Sequence, residues 1–134
     1  PEVVKAAVKS QANSASHVPT FVMEAARVAL ECDESVEGFN REYLKRRELM
    51  LEGLSSLPGL RVPEPEGAFY IFAEVTETGM SDIEFADGAL EAGVQLIPAS
   101  LISGGEGFIR VSYATDEEAI REGLRRLRSW LIEE

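Results

Sequence analysis

Apolar residues recur at three- and four-residue steps between Glu34 and Leu57: Val36, Phe39, Tyr43, Met50, Leu54 and Leu57, with Arg46 and Arg47 in the interrupted turn. The opposite face carries Glu37, Arg41, Glu42, Lys45, Glu48 and Glu52. This pattern predicts an amphipathic helix of about six turns at 3.6 residues per turn, stopped by Pro58-Gly59. Before it, Val3, Val4, Ala7 and Val8 have near-helical spacing, and the polar run Ser10–His17 reads as a loop. Pro19 and Thr20 then lead into Phe21–Glu31, rich in helix formers. The dense apolar faces of that segment (Phe21, Val22, Ala25, Val28 and Ala29) predict substantial burial.

After Gly59 the period changes. Leu60–Val62 reads as a short strand, and Pro63, Pro65 and Gly67 form a rigid connection. Ala68–Val75, aromatic and β-branched, predicts a strand buried on at least one face. Ser81 with Glu84 is a capping-box signature opening a helix through Ala92, which Gly93 ends. Val94–Ile97 reads as a strand closed by Pro98, and Gly107–Ala114 as a further strand after a Gly104-Gly105 loop. Thr115 with Glu118 is a second capping box, and Ile120, Leu124, Leu127 and Leu131 line one face of a terminal helix. The element order predicts an α/β two-layer sandwich: a small mixed sheet covered on one side by the long helix and the C-terminal helix.

Composition narrows the chemistry. The 134 residues are a one-domain length, and a chain of that size buries roughly two-thirds of its unfolded surface. A single cysteine, Cys32, excludes an internal disulfide framework, and with the single histidine, His17, it leaves no zinc-site spacing. Thirteen basic against 24 acidic residues give a net charge of −11, which argues against a nucleic-acid partner. No apolar run approaches the roughly 18 residues of a membrane span. Pro1–Lys5 lacks the pattern of a signal peptide and carries no initiator Met, so we expect the chain to be a portion of something larger.

Arg110 is the most informative polar residue. Period-two alternation places it with Phe108, Ser112 and Ala114 on one strand face, and Ile109, Val111 and Tyr113 on the other. A guanidinium at mid-strand either pairs with one of the 24 acidic residues or awaits an anion, which its planar fork binds in bidentate fashion. Phe69 and Tyr70 border a pocket or belong to the core; aromatic strand residues more often do the latter. Asp116-Glu117-Glu118 reads as helix N-terminal charge rather than a metal site.

Three runs carry a family resemblance. Pro65-Glu66-Gly67-Ala68-Phe69-Tyr70 resembles the P-x-G-A-F-Y segment of class I/II pyridoxal-phosphate-dependent aminotransferases. Residues 94–98 (VQLIP) and 110–114 (RVSYA) resemble the family's later run ending in R-x-S-(Y/F)-A. Residues 13–22 (NSASHVPTFV) are similar to the S-V-S-C-x-P-x-F-x-Q stretch of its aspartate-aminotransferase-like branch. The three occur in family order and span essentially the whole chain.

The resemblance implies the C-terminal part of a cytoplasmic, homodimeric, fold-type-I enzyme that uses pyridoxal phosphate. Residues 1–33 would be the tail of its large domain and residues 34–134 its small domain. It implies transfer of an amino group from an aspartate-like amino acid to a 2-oxo acid, with Arg110 binding the substrate α-carboxylate. By position, Ser14, Ser16 and His17 would lie near a neighbouring active site. Two departures concern the loop after residue 97: Pro98-Ala99-Ser100 replaces Pro-Gly-Ser, and Leu101-Ile102-Ser103 replaces Phe-Gly. A third concerns the cofactor, since Lys5, Lys9 and Lys45 all lie outside the family's lysine motif. The chain alone is therefore expected to be inactive, with its large domain, substrates and a second subunit as partners. A non-catalytic module of the same fold and a carbon–sulfur lyase are the alternatives.

Overall fold

The computed structural model describes residues 2–14, 18–102 and 105–133, which form two units, residues 1–38 and 39–134. The first unit contains α1 (Glu2–Ser14), α2 (Thr20–Ala29) and the opening of α3 (Asp33–Ser55). Helix α1 continues through Ser10–Ser14, which the polar composition marked as loop; Gln11 and Ala12 are good helix formers, and the Ser14 hydroxyl donates to the Ser10 carbonyl at 2.6 Å. The Pro19 carbonyl opens α2 by accepting the Val22 and Met23 amides. Its apolar side chains do not become buried as expected: none in α2 is, and Phe21, Met23 and Val28 are exposed.

The second unit builds the core. Along α3, Met50 and Leu54 are buried and Leu57 follows them inward, whereas Val36 and Phe39 on the same stripe stay exposed. Strands β1 (Tyr70–Glu74), β2 (Ile97–Pro98) and β3 (Phe108–Ser112) form a three-stranded sheet in the order β1-β3-β2. Every pairing is antiparallel, so the expected mixed sheet is corrected: β3 runs against both neighbours. Leu60–Val62 contributes one isolated bridge, Arg61 to Glu74, rather than a strand. Only the last residue of Val94–Ile97 enters β2, where it meets the sheet beside Pro98.

Helix α4 (Asp82–Glu91) starts at the predicted capping box: the Glu84 amide donates to Ser81 Oγ, and the Ser81 amide donates to the Glu84 carboxylate at 2.9 Å. Gly93, at φ 81°, provides the turn after it. Helix α5 (Glu117–Glu133) lacks the predicted Thr115 box; the neighbouring Asp116 carboxylate accepts the Ala119 amide at 2.8 Å instead. Gly53 and Gly88 give α5 its close approach, since a Cβ at either would collide with the Leu124 or Trp130 side chain. Phe85 of α4 meets Trp130 edge-on at 5.0 Å between ring centroids.

The inward sheet face places Ile71, Ala73, Ile109, Val111 and Tyr113 against Leu54, Leu57, Phe85, Ile120 and Leu127. Each large apolar side chain buried there contributes about 1.5–3 kcal/mol. The outward face presents Tyr70, Phe72, Phe108, Arg110 and Ser112, none of them fully buried. This α/β architecture leaves one face of the sheet for chemistry.

Candidate functional site

Arg110 occupies the centre of that outward face. It stands opposite Phe72 on β1 and opposite Ile97 on β2, so strands flank it on both sides. The residue is half-buried, and its guanidinium carbon lies 4.8 Å from the centroid of the Tyr70 ring. Tyr70 faces Ser112 in the register, one step diagonal to Arg110, a spacing that aromatic and long side chains bridge across antiparallel strands.

Among the described residues Arg110 has no ion-pair partner. The acidic residue sharing its face on β1, Glu74, is committed elsewhere: it pairs with Arg61 at 3.6 Å and accepts the Thr76 hydroxyl at 2.9 Å. Of the two sequence readings, the internal ion pair is therefore not formed among these residues. A half-buried guanidinium over an aromatic ring, with no ion-pair partner among the described residues, is suited to a planar anion, above all a carboxylate.

The segment before β1 is held firmly. Ala68 adopts φ 62°, the single non-glycine positive φ among the described residues. An alanine there costs on the order of 1 kcal/mol and persists only when its surroundings hold it. They do so here through Tyr113: its hydroxyl donates to the Ala68 carbonyl at 3.0 Å, and its amide donates to the Phe69 carbonyl at 2.9 Å. Arg47 adds a bond from Nη1 to the Pro65 carbonyl at 3.2 Å and an ion pair to Glu64 at 3.2 Å.

An aromatic chain continues from there. Tyr43 of α3 lies 6.2 Å from Tyr113 and 6.5 Å from Phe69, and Phe69 meets Tyr70 edge-on at 4.4 Å. Tyr43 and Arg47 belong to no chemical motif in the sequence, and Tyr113 appears only within the 110–114 run, where it has no assigned role. The available signal was Tyr113 itself: a phenol on the core-facing side of β3 needs a buried acceptor. Burial pushes its hydroxyl above the usual tyrosine range, with Arg47 drawing it partly back.

The loop after β2 is also anchored. Ala99 is buried, and the buried carboxylate of Asp82 at the start of α4 accepts the Ser100 amide at 2.9 Å. Ser100 above all, with its amide bonded to the carboxylate, and then the Gly107 amide hold Asp82 below the usual carboxylate range against the effect of burial. Leu101 and Ile102 are exposed.

Phe69 and Tyr70 belong to the second unit with Arg110, whereas Ser14 belongs to the first unit, its hydroxyl bonded within α1. Ser16 and His17 lie outside the described residues, as do Ser103 and Gly104 of the loop. Among the described residues no cluster of His, Cys, Asp or Glu suits a metal ion, and no helix is long and apolar enough to cross a membrane.

Residues 2–127 match the family model for aminotransferase class I and II. The chain belongs to the class I and II aminotransferase family. It is 38% identical over 135 residues to an aspartate aminotransferase of Pyrococcus horikoshii, covering 97% of this chain and 34% of the relative. It is 39% identical over 136 residues to aromatic-amino-acid aminotransferase 2 of Thermococcus litoralis, covering 98% and 35% respectively. Among solved structures, the aromatic aminotransferase from Pyrococcus horikoshii superposes with a TM-score of 0.78 at 37% identity, over 94% of this chain and 35% of that one. The aspartate aminotransferase from Rhizobium meliloti gives 0.77 at 30% identity, over 97% and 35%. The chain thus spans about a third of the length of the curated relatives it matches.

Proposed function

We propose that this chain is the C-terminal part of an aminotransferase, with residues 1–33 closing its large domain and residues 34–134 forming its small domain. The intact protein exchanges the amino group of an amino acid for the oxo group of a 2-oxo acid. The exposed apolar residues of α1 and α2, Val3, Val4, Val8, Phe21 and Val28, support this reading, because such surface belongs against a partner. In the proposal they pack on the large domain and a second subunit, and the protein resides in the cytoplasm.

Pyridoxal phosphate, the family's cofactor, supplies the electron sink for amino-group transfer when bound. The described residues of this chain do not fit as its anchor. Lys45 is tied to Glu42 at 2.7 Å on the exposed face of α3, and Lys5 and Lys9 lie on the exposed surface of α1. The lysine that holds the cofactor therefore belongs to the large domain, and the chain by itself is inactive.

What this chain contributes is substrate orientation. Arg110, unpaired among the described residues and fixed on a strand with a ring against it, donates two N–H bonds to the substrate α-carboxylate. That observation carries the proposal. The donor is aspartate-like, and relatives named for aspartate and for aromatic amino acids define the choice to be tested.

The test is Arg110→Ala in the full-length enzyme. Losing a charged bidentate contact of about 3–4 kcal/mol should lower kcat/KM by roughly 100- to 1,000-fold. Arg110→Lys, which keeps the charge without the fork, should fall in between. Unchanged kcat/KM in Arg110→Ala contradicts the assignment, and release of a 2-oxo acid without formation of a new amino acid would mark a lyase instead.

A further inference from the structure

Arg110 binds best as a carboxylate clamp if its guanidinium plane is set before substrate arrives, and the Tyr70 ring lies against it at 4.8 Å. A ring lying against the guanidinium restricts rotation about the long side chain, so less entropy is lost on binding. We infer that Tyr70 is a positioning residue for the carboxylate site: its ring, not its hydroxyl, fixes the plane in which Arg110 presents its donors. This inference rests on the assignment of Arg110 as the carboxylate ligand.

Three observations converge on the ring. It lies against the Arg110 guanidinium at 4.8 Å, across the strand pair that carries both residues. Its hydroxyl enters no hydrogen bond among the described residues, so the phenol oxygen has no structural task there. Finally, Tyr70 is itself held from behind. Phe69 contacts it edge-on at 4.4 Å, Tyr43 of α3 supports Phe69, and Tyr113 clamps the backbone at Ala68 and Phe69. The strained φ of Ala68 immediately precedes the two consecutive rings, Phe69 and Tyr70. A ring supported in this way is a fixed platform rather than a mobile cover, and strands hold such a platform more accurately than loops.

Tyr70 does not touch the reacting atoms in this reading, so its effect is on binding. Full-length enzyme is assayed with whichever of L-aspartate or L-phenylalanine the wild type uses faster, and with 2-oxoglutarate as acceptor. Tyr70→Leu should raise the KM for the amino donor about 5- to 20-fold while kcat changes less than about threefold, the pattern of lost ground-state and transition-state binding alike. Tyr70→Phe should restore KM to within about twofold of wild type, because the ring face is retained. Tyr70→Thr, a strand-compatible residue, is measured alongside Tyr70→Leu and should give the same rise, so failure of one variant to fold leaves the result decided by the other.

The double mutant separates this inference from the one beneath it. In an Arg110→Ala background, Tyr70→Leu should add less than about twofold, since the platform has nothing left to position. A wild-type KM in Tyr70→Leu and Tyr70→Thr, a Tyr70→Phe variant as impaired as Tyr70→Leu, or full multiplication of the two effects overturns the role of Tyr70 and leaves Arg110 in place. No effect of Arg110→Ala alone overturns the carboxylate assignment itself.

Discussion

The two faces of one five-residue strand, β3, do different work. Facing the helices, Ile109 and Val111 are buried together with Ile71 and Ala73 of β1. Facing away, Arg110 alternates with Phe108 and Ser112, beside Tyr70 and the exposed Phe72. Nothing separates the two sets but the pleat, which sends successive side chains to opposite sides. The inner set is chosen for volume and holds the strand in place. The outer set keeps solvent-facing area and a cation that stability alone would not select. Precision in the outer set is therefore inherited from the inner one.

That division predicts a graded set of outcomes in unfolding experiments. The largest effect should come from Ile109→Ala, which removes a fully buried side chain and should destabilise the protein by about 2–5 kcal/mol in denaturant titration. An effect below about 1 kcal/mol would show that the inner face is not the tightly packed side.

Tyr113→Phe should cost about 1 kcal/mol, because it deletes the bond to the Ala68 carbonyl while keeping the packed ring. It also carries a pH signature. The folded-state pKa of Tyr113 is raised by burial, so its contribution is complete below the unfolded tyrosine value near 10 and declines as pH rises toward the folded value. Wild type should therefore lose stability more steeply than Tyr113→Phe above about pH 10; parallel curves would remove the phenol from the account.

The smallest effect should come from Phe72→Thr on the outer face, within about 0.5 kcal/mol by the same titration. A loss as large as that of Ile109→Ala would erase the distinction between the faces.

Much of this was legible in the sequence because it is local. The Ser81–Glu84 cap, the long helix now bounded by Asp33 and Ser55, and the alternation that placed Arg110 apart from Ile109 and Val111 depend on spacing within a few residues. Where two local signals compete, spacing does not decide between them: Thr115 and Asp116 are both capable caps, and the aspartate is the one used. Ser10–Ser14 shows the limit of polarity as a loop signal, since polar residues extend a helix already started.

Pairing was not legible. Period two says which face a residue takes and is silent on which strand lies beside it, so the sheet was expected to be mixed and proved antiparallel throughout. The same blindness covers the site. Arg110 and Tyr70 stood out separately in the chain, forty residues apart by their numbering, and only the β1–β3 register makes them neighbours. The apolar face of α2 differs from expectation for a related reason: such a face in sequence implies a partner, and none of its side chains is fully buried within this chain.

The most direct measurement is a crystal structure of the full-length enzyme with an unreactive carboxylate analogue of its amino-acid substrate. The account predicts one carboxylate gripped by two parallel N–H···O contacts from Arg110 of about 2.7–2.9 Å, with the Tyr70 ring still lying along the guanidinium. A carboxylate held by other residues, with Arg110 turned away or paired to an internal acid, would contradict it.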